Sequence, residues 1–276
     1  MTRIYTTPAL AGESLVARVE NLADTACTAL FAPQPMPLSG ESFGLLLDRL
    51  RRPLRGFDLR EGRLIQTALA LAAQAHAPHA LVLSSHRVCV TESDVALADA
   101  NRHLRDFSSI APPKPGPEAF LGEVDVLIAD PIARSVTCVD LKRSARPEDG
   151  DTRRFMATTL AVRRRLAHEG VFVSQPNIVI LRWFANGVSQ PHVTTAETVD
   201  ERLCFPVRDT VDAAVARYRR GVERQLQLLL DEPQPNLSPS ETKSQTARDC
   251  AEPPVVSLDA FRRALGLDQA AGGRAR

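Results

Sequence analysis

Two short apolar runs, residues 122–129 and 135–142, stand on either side of an Asp130-Pro131 turn and constrain the fold more than any other feature of the chain. Each carries an aspartate among β-branched and apolar residues: Asp125 between Val124 and Val126, and Asp140 between Val139 and Leu141. Their composition predicts strands, and the connection between them suits an antiparallel hairpin. The surrounding patterns add helices before and after. Residues 59–77 are rich in Ala and Leu and stop before Pro78, with Asp58 as a candidate N-cap and Glu61 three positions later, as in a capping box. Residues 80–84 and 87–91 are apolar runs parted by a polar break, and predict a strand or a hairpin. Residues 94–107 predict a helix. So do residues 152–168, with Phe155, Thr159, Val162 and Leu166 on one face and Gly170 as the stop. Residues 178–184 form a further apolar strand.

The expected class is α/β, with a mixed central sheet flanked by helices in the order helix, strand, strand, strand, helix, strand. Helical extensions lie at both ends. Residues 1–56 form an N-terminal helical extension, whose second helix, 43–50, is expected to end before Pro53. Residues 57–230 form the core and a long C-terminal helix over 208–230. Five prolines among polar residues predict a disordered linker at 231–254. Residues 255–276 hold a short amphipathic helix built on Leu258, Phe261 and Leu265, then a tail.

Composition narrows the function classes. The 276 residues carry a net charge of +1, which excludes a globally basic nucleic-acid coat but not a local patch. No apolar run reaches about 18 residues, so no membrane helix is expected. The first residues lack an apolar signal-type core. The five cysteines are scattered and include no CxxC pair, which speaks against a zinc ribbon or a disulfide scaffold. A reducing cytoplasm is the expected compartment.

The chemistry concentrates in the hairpin. Side chains at i and i+2 of a strand share a face, so Asp140 and Lys142 point the same way. The hairpin brings Asp125 near Asp140. Two carboxylates supply hard oxygen ligands suited to Mg²⁺, with Mn²⁺ as an alternative. A bound metal of this kind stabilises charge on a phosphate and lowers the pKa of its water. A lysine beside it can orient or activate that water, which arginine does poorly because it stays protonated. All but three of the 34 basic residues are arginine, so a lysine at this strand position is informative. Glu61, on the preceding helix, is a candidate third ligand. Glu123, two residues before Asp125, is a lesser candidate. Cys138 reads as a small buried filler, His86 as a surface residue, and Trp183 and Phe184 as packing residues rather than a base-stacking pair.

With Asp125, Asp140-Leu141-Lys142 and this element order, the sequence resembles the PD-(D/E)xK nuclease superfamily over about residues 57–186. It departs from the motif in having Val124, not Pro, before Asp125. The resemblance implies a restriction-endonuclease-like core and a Mg²⁺-dependent endonuclease hydrolysing DNA, with RNA also open as a substrate. It implies that Asp125, Asp140 and Glu61 hold the metal and that Lys142 assists the water. The alternative is a catalytically silent module of the same fold that binds nucleic acid or a protein partner. Between Lys142 and Arg165 eight cations face three anions, a local charge of +5. Arg143, Arg153, Arg154 and Arg164 are the candidates for gripping phosphates. A homodimer through the 208–230 helix and a protein partner for residues 255–269 complete the expectations.

Overall fold

The computed structural model describes residues 14–32, 45–101, 110–111, 114–142, 149–169, 173, 175–185 and 193–231. The linker at 231–254, the helix expected at 255–269 and Arg143 lie outside them, apart from Asp231. The chain divides into two compact units, Met1–Gly221 and Val222–Arg276. Of the second, the description covers the end of one helix, where Gln227 donates to Asp231 at 2.9 Å.

The first unit is an α/β fold built on a five-stranded mixed sheet. The helices are α1 (Leu15–Phe31), α2 (Leu45–His76), α3 (Glu92–Ala100), α4 (Asp149–His168), α5 (Val199–Leu203) and, as far as Gly221, α6 (Arg208–Asp231). The strands are β1 (Leu81–Thr91), β2 (Glu118–Asp130), β3 (Ser135–Leu141), β4 (Gln175–Arg182) and β5 (Val193–Thr195), and they lie side by side in chain order. β1, β2 and β3 run antiparallel in turn, while β4 is parallel to β3 and β5 to β4. The switch follows from the connections. A short turn can join only antiparallel neighbours, whereas the α4 crossover returns the chain in the same direction.

One apolar cluster joins α4 to the sheet. Phe155, Met156, Leu160 and Val162 meet Val124, Leu127, Val136, Cys138, Ile178 and Ile180 there. Val126, Ile128, Val139, Val179 and Leu181 are buried as well, outside that cluster. β4, buried from Ile178 to Leu181, shows why a central parallel strand reads as a continuous apolar run. Gly122 makes the contact with α4 possible. A Cβ there would stand 2.6 Å from Thr158 Oγ1 and 2.9 Å from Val90 Cγ2.

Several elements differ from the sequence expectations. α2 is continuous through Pro53, so the boundary expected at residues 56/57 falls within a single helix. Leu50, Pro53, Phe57, Glu61, Leu64 and Ala68 keep helical spacing on its buried face. That tertiary burial outweighs the backbone hydrogen bond that proline removes. Asp58 is therefore an exposed mid-helix residue and not a cap. The two runs at 80–84 and 87–91 are one strand, β1, and the polar break within it is a kink at Ser85, whose φ is 53°. His86 is buried rather than superficial, and burial, then the nearby Arg165 charge, lowers its pKa. β5 and α5 carry too little pattern to be expected from three and five residues.

A buried ion pair locks α3 to α4. Asp94 is fully buried. It closes a capping box with Thr91 and accepts from Arg164 Nη2 at 2.9 Å and Nε at 3.2 Å. Arg164 also donates to the Cys89 carbonyl at 2.9 Å. Replacing Arg164 with Met should lower unfolding stability by about 3–5 kcal/mol in urea titrations, because it strands a buried carboxylate. The further change Asp94→Asn should recover part of that loss. Gly122→Ala should cost about 1–3 kcal/mol by overpacking, and Thr158→Ala added to it should relieve the strain. Equal midpoints for wild type and Gly122→Ala would contradict the packing described.

Candidate active site

β2 and β3 are in register from Asp130↔Ser135 to Val126↔Val139. The ladder stops one residue short of Asp125 and Asp140. Asp125 does not simply continue the ladder. Its carboxylate Oδ2 accepts the Leu141 N–H at 2.7 Å, so a side chain closes the end of the strand pair. Asp140, 9% exposed, lies one residue away on β3, and its Oδ2 is 3.3 Å from Lys142 Nζ. The shared face of Asp140 and Lys142, expected from alternation, is present. Lys142 leaves the sheet held by its own N–H, which donates to the Leu181 carbonyl at 2.9 Å.

These groups make one electrostatic unit. Burial pushes the Asp125 carboxyl up to about 6, against the lowering effect of the Leu141 N–H. The Asp140 charge raises it further and the Lys142 charge lowers it. A carboxylate at a half-buried ladder end, next to a second carboxylate and an ammonium, is a poor place for an isolated negative charge and a good one for a cation to neutralise.

Two other side chains approach from α2 and β1. Gln66 Nε2 donates to the Asp125 carbonyl at 2.6 Å and to Ser85 Oγ at 3.0 Å. Neither residue was among the sequence candidates. Both left a trace there: Gln66 is a polar residue amid Leu64, Ile65, Ala68 and Leu69, and Ser84-Ser85 interrupts an apolar run.

Glu61 pairs with α6. It is fully buried, and its Oε1 accepts from Arg219 Nε of α6 at 2.7 Å. Gln66 comes five residues after it, about 140° around the helix and ~7.5 Å along it, so the face that brings Gln66 to the sheet turns Glu61 toward α6. Arg219 in turn lies 4.7 Å from the Phe184 ring centre. Among the described residues no group of three His, Cys, Asp or Glu side chains is arranged to hold a metal ion. Asp125 and Asp140 are two hard oxygen donors close to one another at the end of β3. Two carboxylates suffice for Mg²⁺, which keeps several waters and takes its remaining ligands from phosphate. Glu123, the lesser candidate, is exposed and paired with Arg87 at 3.2 Å.

Of the arginines expected to grip phosphates, the three described ones, Arg153, Arg154 and Arg164, have partners within the fold. Arg164 is held by Asp94 and Cys89, as described. Arg153 bridges to Asp99 of α3, and Arg154 lies 4.5 Å from the Phe120 ring centre. Arg153 and Arg154 are exposed. Cys138 is wholly buried and its thiol is pushed up to about 12 by desolvation, which suits a filler and not a nucleophile. Trp183 packs in the interior with its Nε1 donating to Asp212 at 3.1 Å.

The fold and site together define an α/β protein that presents a paired-carboxylate and lysine cluster where β2 and β3 end their pairing. No family model matches the chain, and no curated protein or solved structure matches it. Among the described residues no helix is long and apolar enough to cross a membrane.

Asp125 makes the metal-free protein pH-sensitive. Its carboxyl is protonated more readily when folded, at about 6, than when unfolded, at 3.8. The folded state is therefore favoured below the unfolded value, and that advantage is lost as pH rises through 6. Asp125→Asn, which still offers an oxygen to Leu141, should match wild type near pH 4 and exceed it at pH 8 by up to about 3 kcal/mol in EDTA. Parallel stability–pH curves for the two proteins would exclude the shift.

Proposed function

We propose that this chain is a metal-dependent nuclease with a restriction-endonuclease-like core, hydrolysing phosphodiester bonds of DNA. The observation that carries the reading is the Asp125 carboxylate held by the Leu141 N–H at 2.7 Å, next to Asp140, with Lys142 Nζ 3.3 Å from Asp140. The order α2, β1, β2, β3, α4, β4, with α3 inserted between β1 and β2, supports it, β1–β3 being antiparallel and β4 parallel to β3.

In this reading Asp125 and Asp140 hold a Mg²⁺, for which Mn²⁺ can substitute. The ion, when bound, supplies charge to the phosphate and acidity to water. A cation held there would offset the charge repulsion between Asp125 and Asp140. Lys142, tethered at the end of β3, holds a positive charge at the same edge and positions the attacking water against the phosphate. Arg153 and Arg154 place exposed positive charge on the first turns of α4, where a nucleic-acid backbone can be oriented without base-specific contact. Glu61 is assigned no part, since its carboxylate is engaged by Arg219.

The test is cleavage of supercoiled plasmid, linear single-stranded DNA and RNA by the full chain, with Mg²⁺, Mn²⁺ or EDTA. Nicking should require the metal and fall at least about a hundredfold in Asp140→Asn and in Lys142→Met, with both variants folded as wild type. Metal-dependent cleavage of RNA alone would move the substrate from DNA to RNA. DNA binding by all three proteins without cleavage by any would replace the enzyme with a silent binding module.

A further inference from the structure

We propose that Gln66 is the positioning residue for Asp125, fixing the β2 peptide from which that carboxylate reaches across to β3. The inference rests on the nuclease reading for its consequence, while the placement itself is independent of it. The β1–β2 ladder pairs Ser84 with Val126 and His86 with Val124, and has no pair at the intervening Ser85–Asp125 step. Ser85 is left-handed there, with φ 53°. The side-chain alternation of both strands breaks at the same level. Leu83 belongs to the α4 cluster together with Val88 and Val90, and Val124 together with Leu127, so each strand contributes both odd and even positions to one face. A regular strand cannot do that.

Gln66 fills this fault. Its amide nitrogen carries two hydrogens and meets two acceptors, the Asp125 carbonyl at 2.6 Å on β2 and Ser85 Oγ at 3.0 Å on β1. A carbonyl only accepts, so the nitrogen, not the oxygen, of the amide must face Asp125. One helix side chain therefore pins both strands where their own ladder is interrupted. The orientation of the Asp125 peptide sets where its side chain starts, and Oδ2 arrives at 2.7 Å from Leu141 N, next to Asp140. Gln66 touches neither substrate nor metal in this scheme. It acts through Asp125, as outer partners of metal ligands commonly do.

The experiment compares wild type, Gln66→Met, Gln66→Glu and Ser85→Ala as full-length proteins. Met keeps the length of Gln without a donor, Glu sets an acceptor against a carbonyl, and Ser85→Ala removes only the second acceptor. Two readouts are taken: Mn²⁺ binding by calorimetry, and the backbone amide resonance of Leu141 in metal-free protein. Gln66→Met should weaken Mn²⁺ binding about 10–100-fold and shift the Leu141 amide, while melting as a folded protein. Gln66→Glu, if it folds, should weaken binding at least as much. Ser85→Ala should stay within about threefold of wild type, since the bond to Asp125 survives. An unchanged Leu141 amide in Gln66→Met overturns the inference whatever the metal result. A shifted amide with unchanged Mn²⁺ affinity overturns the link to the site. A wild type that takes up no Mn²⁺ overturns the metal-dependent reading and the consequence drawn from it, while the Leu141 amide still decides whether Gln66 holds Asp125.

Discussion

Across the β2–β3 ladder Val126 faces Val139, Leu127 faces Cys138 and Asp130 faces Ser135. Side chains alternate between the two faces of a sheet, so a slip by one residue would turn Val136 and Cys138 away from α4 and Val139 toward it. The same register brings Asp125 to the end of β3, where it accepts the Leu141 N–H beside Asp140. Burial of the apolar positions therefore holds two carboxylates together that would otherwise repel. The core supplies the energy and the site carries the cost: the pKa of Asp125 is raised mainly by burial and further by the Asp140 charge. The Leu141 N–H partly offsets that cost by giving the carboxylate a donor where the ladder ends.

The charges of this chain do different work according to depth. Asp94 and Arg164 are withdrawn from water and tie α3 to α4. Glu61 and Arg219 do the same between α2 and α6. At the surface Arg217 reaches Asp24 at 2.7 Å and Glu20 at 3.2 Å on α1, where solvent screens the attraction. Asp140 and Lys142 fall between these classes, partly buried and at a strand end. That position keeps the pair close while leaving it within reach of a ligand.

Much of the fold was legible because local pattern and tertiary role agree. Residues 122–129 and 135–142 form β2 and β3, and 152–168 form most of α4, since their apolar periodicity is the one the core uses. The shared side of Asp140 and Lys142 was legible for the same reason. Pro53 was read as a stop, yet the buried face of α2 runs through it. Arg164 lies off the apolar face of α4 and so looked available to a ligand. Its partner Asp94 is 70 residues away in sequence, and no local pattern links them. Glu61 was favoured because it is acidic and early in a helix, whereas the residue that reaches the sheet beside Asp125 is the neutral Gln66.

The sequence alone determined the alternation of strands and helices, the antiparallel hairpin and the i, i+2 pairing of Asp140 with Lys142, because each depends on residues close together in the chain. Tertiary structure decided which helix face meets the sheet, which arginines are held inside, and how two strands pass through a fault at Ser85 and Asp125. Those outcomes depend on groups brought together from distant segments. Gln66 and Asp125 are 59 residues apart, and only the packing of α2 against β1 and β2 makes them neighbours.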